Sequence, residues 1–457
     1  KHKRTGGFTL KEQGNNVQWD NFLWGVSTSS YQIEGAVAED GRTPCIWDLH
    51  CGIPGNILNG DTGETACDHY HRYQEDVALM KELGVNSYRF SIAWSRIYPQ
   101  RGVYNEKGMQ FYKNLIRELK ANKILPCVTI YHWDLPQWVQ EAGGWDARET
   151  VDLYLEYADT LFRELDADVN MWITHNEPYC SGFLGNHMGE HAPGIKSLEK
   201  AIRSTHHILL SHGQAVRLYH EKYGTHPIGI TLNLGVMYPQ TDTVRDQLAQ
   251  KMADGYTNRW FLDALFRKQY PADMLALFAA RCATDFDFIQ QGDLECIGEP
   301  MDFLGINHYS STTVSYVSAA PNLYAPAVTE KKKNAIGWDL DPDAFYELLV
   351  RLRKEYTDIP VFITENGFAS EDASAEEAVH DPDRISYLEQ YLHTVEKMKE
   401  QGLGIYGYFV WSLMDNFEWP SGYAVRFGLV AIDYRTLERR KKDSFLYYQE
   451  YLADRMG

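Results

Sequence analysis

The sequence has few basic residues for its length, few cysteines and no long apolar segment. Its 44 Lys and Arg residues are outnumbered by 63 Asp and Glu residues, so the formal net charge is −19. A protein that binds nucleic acid through bulk charge needs clustered cations. Tight basic runs within the chain occur at 331–333 and 439–442, and we interpret both as solvent-exposed surface. The charge balance therefore argues against nucleic acid as a partner.

No run of about 18 uninterrupted apolar residues, the length that marks a membrane-spanning helix, occurs in the sequence. Residues 1–20 are polar and contain no apolar signal core, so we interpret them as an N-terminal extension. The seven cysteines are odd in number and form no Cys-x-x-Cys pair, which favours reduced thiols over a disulfide framework or a zinc ribbon. These features predict a soluble cytoplasmic protein with no membrane partner.

Short apolar or β-branched runs recur along the chain, each followed by a polar loop and a stretch with helical spacing. Phe111, Leu115 and Leu119, for example, fall on one face of a predicted helix. Strands that alternate with helices pair in parallel, and no change of composition marks a second domain. The pattern predicts an α/β fold, a single (β/α)8 TIM barrel over residues 1–457 with elaborated βα loops. The predicted strands are 22–27, 85–92, 124–132, 170–175, 228–234, 303–309, 360–364 and 404–413.

Unusual polar residues follow these predicted strands, where such barrels carry their chemistry. Glu177 lies in the segment ITHNEP after the fourth strand, and Glu365 lies in VFITENG after the seventh. Hydrolysis of a glycosidic bond needs two carboxyl groups, one to protonate the leaving oxygen and one to attack or to activate water. A single strand-end glutamate is more often a helix cap or an ion-pair partner. Two glutamates in matched contexts indicate a glycosidase site.

Several long segments of the sequence resemble glycoside hydrolase family 1, the β-glucosidase family. They are FLWGVSTSSYQIEG (22–35), ITHNEP (173–178), VFITENGFA (361–369) and FVWSLMDNFEWPSGYAVRFGL (409–429). The resemblance implies a retaining, exo-acting β-glucosidase with some activity on galactosides or fucosides. It implies Glu177 as the general acid/base and Glu365 as the nucleophile of a double displacement. The implied partner is a small β-glucoside or oligosaccharide, and we expect no cofactor.

The same resemblance assigns further residues to the site. It implies that Arg89 and Tyr309 hold Glu365 in place. A cation and a phenol that are hydrogen-bonded to a carboxylate favour its ionised form. The residues assigned to the sugar offer polar groups for hydroxyls and aromatic planes for the apolar face of a pyranose. They are Gln32, His132, Trp133, Asn176, Asn307, Trp411, Glu418, Trp419 and Phe427.

The residue type at Glu418 predicts whether the substrate is neutral or phosphorylated. A carboxylate that faces a phosphate is strongly repelled, and phosphoglycosidases resembling this family replace this acid by a Ser and a downstream Lys. The sequence therefore predicts an unphosphorylated sugar. Two alternative functions stay open. One is transfer of the glycosyl group to an acceptor sugar or alcohol, and the other is sugar binding without catalysis by the same barrel.

Two histidine patterns have competing interpretations. His175 departs from the apolar or aromatic residue usual in the family before the Asn-Glu pair, and it could shift the pKa of Glu177. We expect it instead to point into the barrel wall, because alternate strand residues face away from the mouth. The segment HMGEH (187–191) fits a zinc-peptidase pattern that requires a helix. Glycines and prolines in and around it argue against a helix, so we expect no metal.

Overall fold

The structure is a computed structural model that describes residues 21–456, and the expected extension at 1–20 lies outside them. Eight parallel strands form a closed barrel in the order β1-β8-β7-β6-β5-β4-β3-β2, with β8 paired to β1. The predicted (β/α)8 barrel is confirmed. The strands are β1 (Leu23–Ser27), β2 (Ser87–Ser91), β3 (Leu125–Tyr131), β4 (Met171–Asn176), β5 (Ile228–Asn233), β6 (Phe303–Asn307), β7 (Val361–Asn366) and β8 (Ile405–Trp411).

Each predicted run overlaps one barrel strand, but two strands extend further than predicted. β4 continues to Asn176 and β7 continues to Asn366. Polar residues at these positions suggested that the strands had already ended. Both strands are buried over their full length. Because β7 includes residue 365, Glu365 belongs to a barrel strand rather than to the loop after it.

Helices connect the strands and form the outer layer. In α5 (Glu106–Ala121), Phe111, Leu115 and Leu119 are buried, as their spacing predicts. No helix within residues 21–456 combines the length and apolar character required to cross a bilayer. The α-helices are α1 (Ser30–Ile33), α2 (Ile46–Cys51), α3 (His69–Leu83), α4 (Trp94–Ile97), α5 (Glu106–Ala121), α6 (Gln137–Glu141), α7 (Glu149–Leu165), α8 (Leu198–Lys222), α9 (Val244–Asp254), α10 (Trp260–Arg267), α11 (Ala272–Cys282), α12 (Asp293–Ile297), α13 (Pro342–Glu355), α14 (Pro382–Glu400) and α15 (Asp443–Met456).

The loops between strands and helices are long, as predicted, and carry structure of their own. Strands Met237–Pro239, Thr312–Tyr316 and Tyr324–Pro326 form a small sheet, and Val430–Ile432 pairs with Arg439–Lys441. Residues Cys180–Met188, directly after β4, form a π-helical segment.

Large apolar side chains from the strands form a separate buried cluster that includes Phe303, Phe362 and Phe409. Gly25 and Gly407 make room for these rings, because an added Cβ would lie 2.4 Å from a ring carbon of Phe409 and 2.7 Å from one of Phe362. The interior of such a barrel is packed core rather than a channel. Any cavity at the C-terminal mouth is therefore closed at its inner end.

The prediction that the basic run 439–442 is exposed surface was wrong for its two end residues, Arg439 and Lys442, although Lys441 is exposed. The Lys442 side chain is fully buried, and its Nζ donates to Asp415 Oδ1 at 2.7 Å. Arg439 forms a buried ion pair with Asp76. Asp76 and Asp415, the acids that neutralise Arg439 and Lys442, lie outside the basic run. The composition of the run alone therefore does not reveal these ion pairs. The run 331–333 does lie at the surface, with side chains 36 to 58% exposed.

Replacing Asp415 by alanine is expected to destabilise the fold by about 3–5 kcal/mol. The substitution leaves Lys442 and the buried Arg426 without the carboxylate that both contact. Urea denaturation followed by tryptophan fluorescence measures the loss. Arg101→Ala is the matched control, because Arg101 pairs with Glu149 where both side chains are more than half exposed, and we expect a change below about 1 kcal/mol. Equal changes in both variants would contradict the prediction.

Candidate active site

All of the predicted site residues lie together at the C-terminal mouth of the barrel, where a cavity of about 850 Å³ opens. Those that line the cavity directly are Trp133, Glu177, Asn307, Tyr309, Glu418 and Trp419. The others are joined to them by hydrogen bonds or ring contacts, directly or through one another, and are Gln32, Arg89, His132, Asn176, Glu365, Trp411 and Phe427.

Glu365 is buried on β7, and both of its carboxyl oxygens accept short hydrogen bonds. Arg89 Nη1 donates to Oε1 at 2.6 Å, and Tyr309 Oη donates to Oε2 at 2.6 Å. Burial raises the pKa of Glu365, whereas Arg89 and Tyr309 lower it. Gly367 allows β7 to pack closely on β8, since an added Cβ would lie 1.9 Å from the Trp411 carbonyl oxygen. The surroundings therefore hold Glu365 in one orientation and counteract its desolvation.

Glu177 follows β4 directly and has a left-handed backbone conformation with φ of 47°. Such a conformation is costly for a residue with a side chain and often occurs at functional sites. Asn307 Nδ2 donates to Glu177 Oε1 at 2.6 Å, and Cys180 Sγ donates to Oε2 at 3.0 Å. Burial, followed by the negative charge of Glu365, raises the pKa of Glu177 to about 7. Glu177 is therefore suited to carry a proton near neutral pH.

Two amide side chains connect the surroundings of the two carboxyl groups. Asn176 Oδ1 accepts from Arg89 Nη2 at 2.6 Å and from Asn307 Nδ2 at 3.0 Å. Asn307 also donates to Glu177, and the Asn176 amide lies 3.1 Å from His132 Nε2. A displacement of any one of these groups therefore affects the hydrogen bonding of the others.

Glu418 contributes a third carboxyl group to the mouth. Gln32 Nε2 donates to the Phe417 carbonyl oxygen at 2.8 Å and approaches Glu418 Oε2 at 3.4 Å. Burial and the charges of Glu365 and Glu177 raise the pKa of Glu418 to about 8. Its carboxyl group lines the cavity, where it can bind hydroxyl groups.

Aromatic rings form one wall of the mouth. His132 stacks on Trp411 and on Trp419, with ring centroids 5.9 and 6.1 Å apart. Trp133 packs on Trp419 with centroids 4.6 Å apart. The rings and the carboxyl groups together place apolar planes next to polar groups, a combination that suits a pyranose.

Sequence reasoning missed two contributors to this region. Cys180 contacts Glu177 directly, and only its position three residues further along the chain hints at the contact. Trp338 lines the outer cavity and packs on Tyr309 with ring centroids 5.2 Å apart. Trp338 lies in a loop without a recognisable pattern, so only the folded chain reveals its position.

His175 points into the barrel wall, as predicted. Its Nε2 lies 2.8 Å from Ser211 Oγ on α8, and its ring stacks on Tyr154 with centroids 4.5 Å apart. Burial lowers the pKa of His175 well below its usual range. A neutral imidazole packed among α7 and α8 is a structural residue.

The segment 187–191 differs from the expectation that no helix forms there. The π-helical turn after β4 extends to Met188 and includes His187, and it ends where Gly189 adopts a left-handed conformation. His187 Nδ1 lies 2.9 Å from Tyr256 Oη, whereas His191 packs its ring on Trp133. Across residues 21–456, no group of three or more potential ligands is arranged to hold a metal ion.

The chain is similar to known proteins over nearly its whole length. A family model described as glycosyl hydrolase family 1 matches residues 16–456. Beta-glucosidase A of Acetivibrio thermocellus is 43% identical over 439 residues, which cover 95% of this chain and 98% of that protein. A bifunctional beta-D-glucosidase/beta-D-fucosidase of Bifidobacterium breve is 41% identical and covers 95% of this chain and 97% of its own. The crystal structure of a beta-glucosidase from Exiguobacterium marinum superposes with a TM-score of 0.94 at 52% identity, covering 96% of this chain and 99% of its own.

Proposed function

This chain belongs to glycosyl hydrolase family 1, and from that premise we propose that it is an exo-acting β-glucosidase. Members of this family are retaining O-glycosyl hydrolases, and this chain is one of them. The observation that carries the proposal is the pair Glu177 and Glu365 at one mouth, with contrasting surroundings. Glu365 contacts a guanidinium, whereas Glu177 contacts an amide and a thiol. The names of the similar proteins support glucose as the sugar.

In the first step, the Glu365 carboxylate attacks the anomeric carbon while Glu177 gives its proton to the glycosidic oxygen. The bond from the anomeric carbon to the leaving oxygen breaks, and an ester bond to Glu365 forms. Arg89 and Tyr309 favour the ionised form of Glu365 against the effect of its burial and orient it before the attack. The pKa of Glu177, raised by burial and by the charge of Glu365, keeps its proton available.

In the second step, Glu177 acts as the base. Formation of the ester removes the negative charge of Glu365, so the repulsion that raised the pKa of Glu177 disappears. Glu177 then takes a proton from water, and the water oxygen attacks the anomeric carbon and releases Glu365. Two displacements at the same carbon restore the β configuration.

The shape and the polar groups of the mouth support cleavage of a terminal sugar. The barrel interior beneath the mouth is filled by Phe303, Phe362 and Phe409, so a sugar chain can enter by one end only. Glu418 lines the cavity and Gln32 lies beside it, which supports a role for both in binding sugar hydroxyls. A carboxyl group that bridges neighbouring hydroxyls discriminates poorly between epimers, which supports some hydrolysis of β-fucosides or β-galactosides.

The acidic mouth supports a neutral substrate. The charge of Glu365 raises the pKa of Glu177, and the charges of Glu365 and Glu177 raise the pKa of Glu418. Arg89 is the guanidinium that contacts Glu365. A phosphate on the sugar would add negative charge beside three carboxyl groups, which is unfavourable. We therefore expect a 6-phospho-β-glucoside to be a poor substrate.

A substrate panel tests the proposed function. Aryl β-glucosides, β-galactosides, β-fucosides and 6-phospho-β-glucosides are compared by kcat/KM, together with β-linked glucose disaccharides. We expect the β-glucoside or the β-fucoside to be best and glucose to be the first product released from disaccharides. Preference for the phosphorylated sugar, or release of disaccharide from longer chains, would contradict the proposal. Products formed at high acceptor concentration reveal how much glycosyl group is transferred to other sugars.

We also propose that the chain works as a single catalytic domain. The first and last barrel strands pair with each other, and α15 returns to pack on α3 and α14. The site draws residues from β2, β4, β6 and β7, so no part of the barrel contains it alone. One cooperative unfolding transition in urea is the expected result.

A cytoplasmic location is a further part of the proposal. All seven cysteines are free thiols, and six of them are buried. Free thiols are typical of proteins from reducing compartments. Activity measured in separated cytoplasmic and extracellular fractions of the producing cells tests this location.

A further inference from the structure

The Cys180 thiol contacts one carboxyl oxygen of Glu177 because of a tight turn after β4. The backbone N–H of Cys180 donates to the Glu177 carbonyl oxygen at 2.9 Å. This turn brings the Cys180 side chain back over the carboxyl group, where Sγ lies 3.0 Å from Oε2. Asn307 Nδ2 occupies the other oxygen at 2.6 Å. Each oxygen of Glu177 therefore has one donor.

Cys180 remains a donor throughout the working pH range of the site. The thiol lines the cavity but is nearly buried. Burial and the charge of Glu177 raise the pKa of the Cys180 thiol well above its usual range. A protonated thiol is a weak hydrogen-bond donor, so its proton points to the carboxyl group without being transferred.

From this geometry we propose that Cys180 is a positioning residue that adjusts the acid strength of Glu177 by donating a weak hydrogen bond to Oε2. The inference rests on the proposed role of Glu177 as acid/base. A donor to the carboxylate stabilises the ionised form, so it helps Glu177 to release its proton in the first step. The same donor makes Glu177 a weaker base in the second step. A thiol favours the ionised form of Glu177 less than a hydroxyl does. It therefore helps the release of the proton in the first step while weakening the base of the second step less.

Other charged or titratable groups also face Glu177, and the variants must leave them unchanged. They are Arg89 on β2, Tyr309 after β6, Glu365 on β7 and Glu418 after β8. None of them accepts or donates a hydrogen bond at the Cys180 thiol in the part of the chain that the structure describes. Substitution at position 180 therefore changes one donor and leaves the remaining charges in place.

The test compares Cys180→Ser, Cys180→Val and Cys180→Ala by the pH dependence of kcat/KM on phenyl β-glucoside. The basic limb reports loss of the Glu177 proton. We expect valine and alanine to shift this limb upward by about half to one pH unit, the equivalent of one ordinary hydrogen bond. We expect serine, a stronger donor, to shift it downward. Cys282→Ser is the matched control on α11, since Cys282 Sγ donates to the Phe278 carbonyl oxygen of its own helix, and it should not move the limb.

If the basic limb moves in opposite directions in the serine and valine variants, the effect is that of a hydrogen bond. A packing effect would move the limb in the same direction in both variants or in neither. Near-UV circular dichroism checks that each of the three variants is folded. If the basic limb stays at its wild-type position in all three folded variants, the inference is overturned. Glu177→Gln separates this failure from failure of the proposed function. If the variant retains wild-type kcat/KM and the basic limb on phenyl β-glucoside, Glu177 is not the acid and both fail. If the limb disappears but the Cys180 variants do not move it, only the inference fails.

Discussion

Replacement of Glu365 by glycine is expected to lower kcat for aryl β-glucosides by about 10⁴-fold or more, as loss of a covalent nucleophile does in other enzymes. Glycine removes the proposed nucleophilic oxygen and deprives Arg89 and Tyr309 of the carboxyl group that both contact. Glu177 also loses the neighbouring charge that raises its pKa. The residual activity should therefore be low at every pH, because no other carboxylate replaces the nucleophile.

Small anions should restore part of this activity and identify the lost group. Azide or formate can occupy the space vacated by Glu365 and attack the anomeric carbon of an activated aryl glucoside. The expected product with azide is α-glucosyl azide, because a single displacement inverts the configuration. Glu371→Gly is the control, since Glu371 is an exposed glutamate in the loop after β7, and it should retain wild-type activity. Retention of activity in Glu365→Gly would contradict the assignment.

Replacement of Glu177 by alanine should produce a loss that depends on the leaving group. Loss of general acid catalysis costs about 10² to 10⁴-fold, and we expect this loss of kcat/KM for disaccharides and alkyl glucosides. Dinitrophenyl glucoside should lose much less, because its leaving group needs no proton. The same variant also lacks the proposed base of the second step, so the glucosyl-enzyme should accumulate with this substrate.

Azide distinguishes Glu177 from Glu365 by the configuration of the product. In Glu177→Ala it can attack the accumulated glucosyl-enzyme on the face opposite Glu365 and give β-glucosyl azide. Glu190→Ala is the matched control, because Glu190 is an exposed glutamate in the loop after the same strand. An equal loss for activated and unactivated substrates would contradict the role of Glu177 as acid.

The sequence was sufficient to predict the barrel and the position of both glutamates. Each strand is a short apolar run, and the residues that follow it lie at one mouth because parallel strands place their C-terminal ends together. Glu177 and Glu365 could therefore be placed near each other although they lie far apart in the chain. The residues around them were assigned by family resemblance rather than by such reasoning.

Contacts that depend on precise chain direction were not predictable. Cys180 reaches Glu177 only because of the turn that follows a left-handed residue. Lys442 is buried because Asp415 lies opposite it, and neither residue carries a local signal of that contact. In both cases, the partner is chosen by the three-dimensional path of a loop, which hydrophobic periodicity does not encode.

The most direct test of the proposed mechanism is to trap the glycosyl-enzyme with 2,4-dinitrophenyl 2-deoxy-2-fluoro-β-glucoside and to map the labelled peptide by mass spectrometry. The fluorine slows both displacements, while the good leaving group allows the first to proceed. We expect one fluoroglucosyl group per chain, attached to Glu365. A label on Glu177 or Glu418, or turnover without any labelled peptide, would contradict the assignment of Glu365 as the nucleophile.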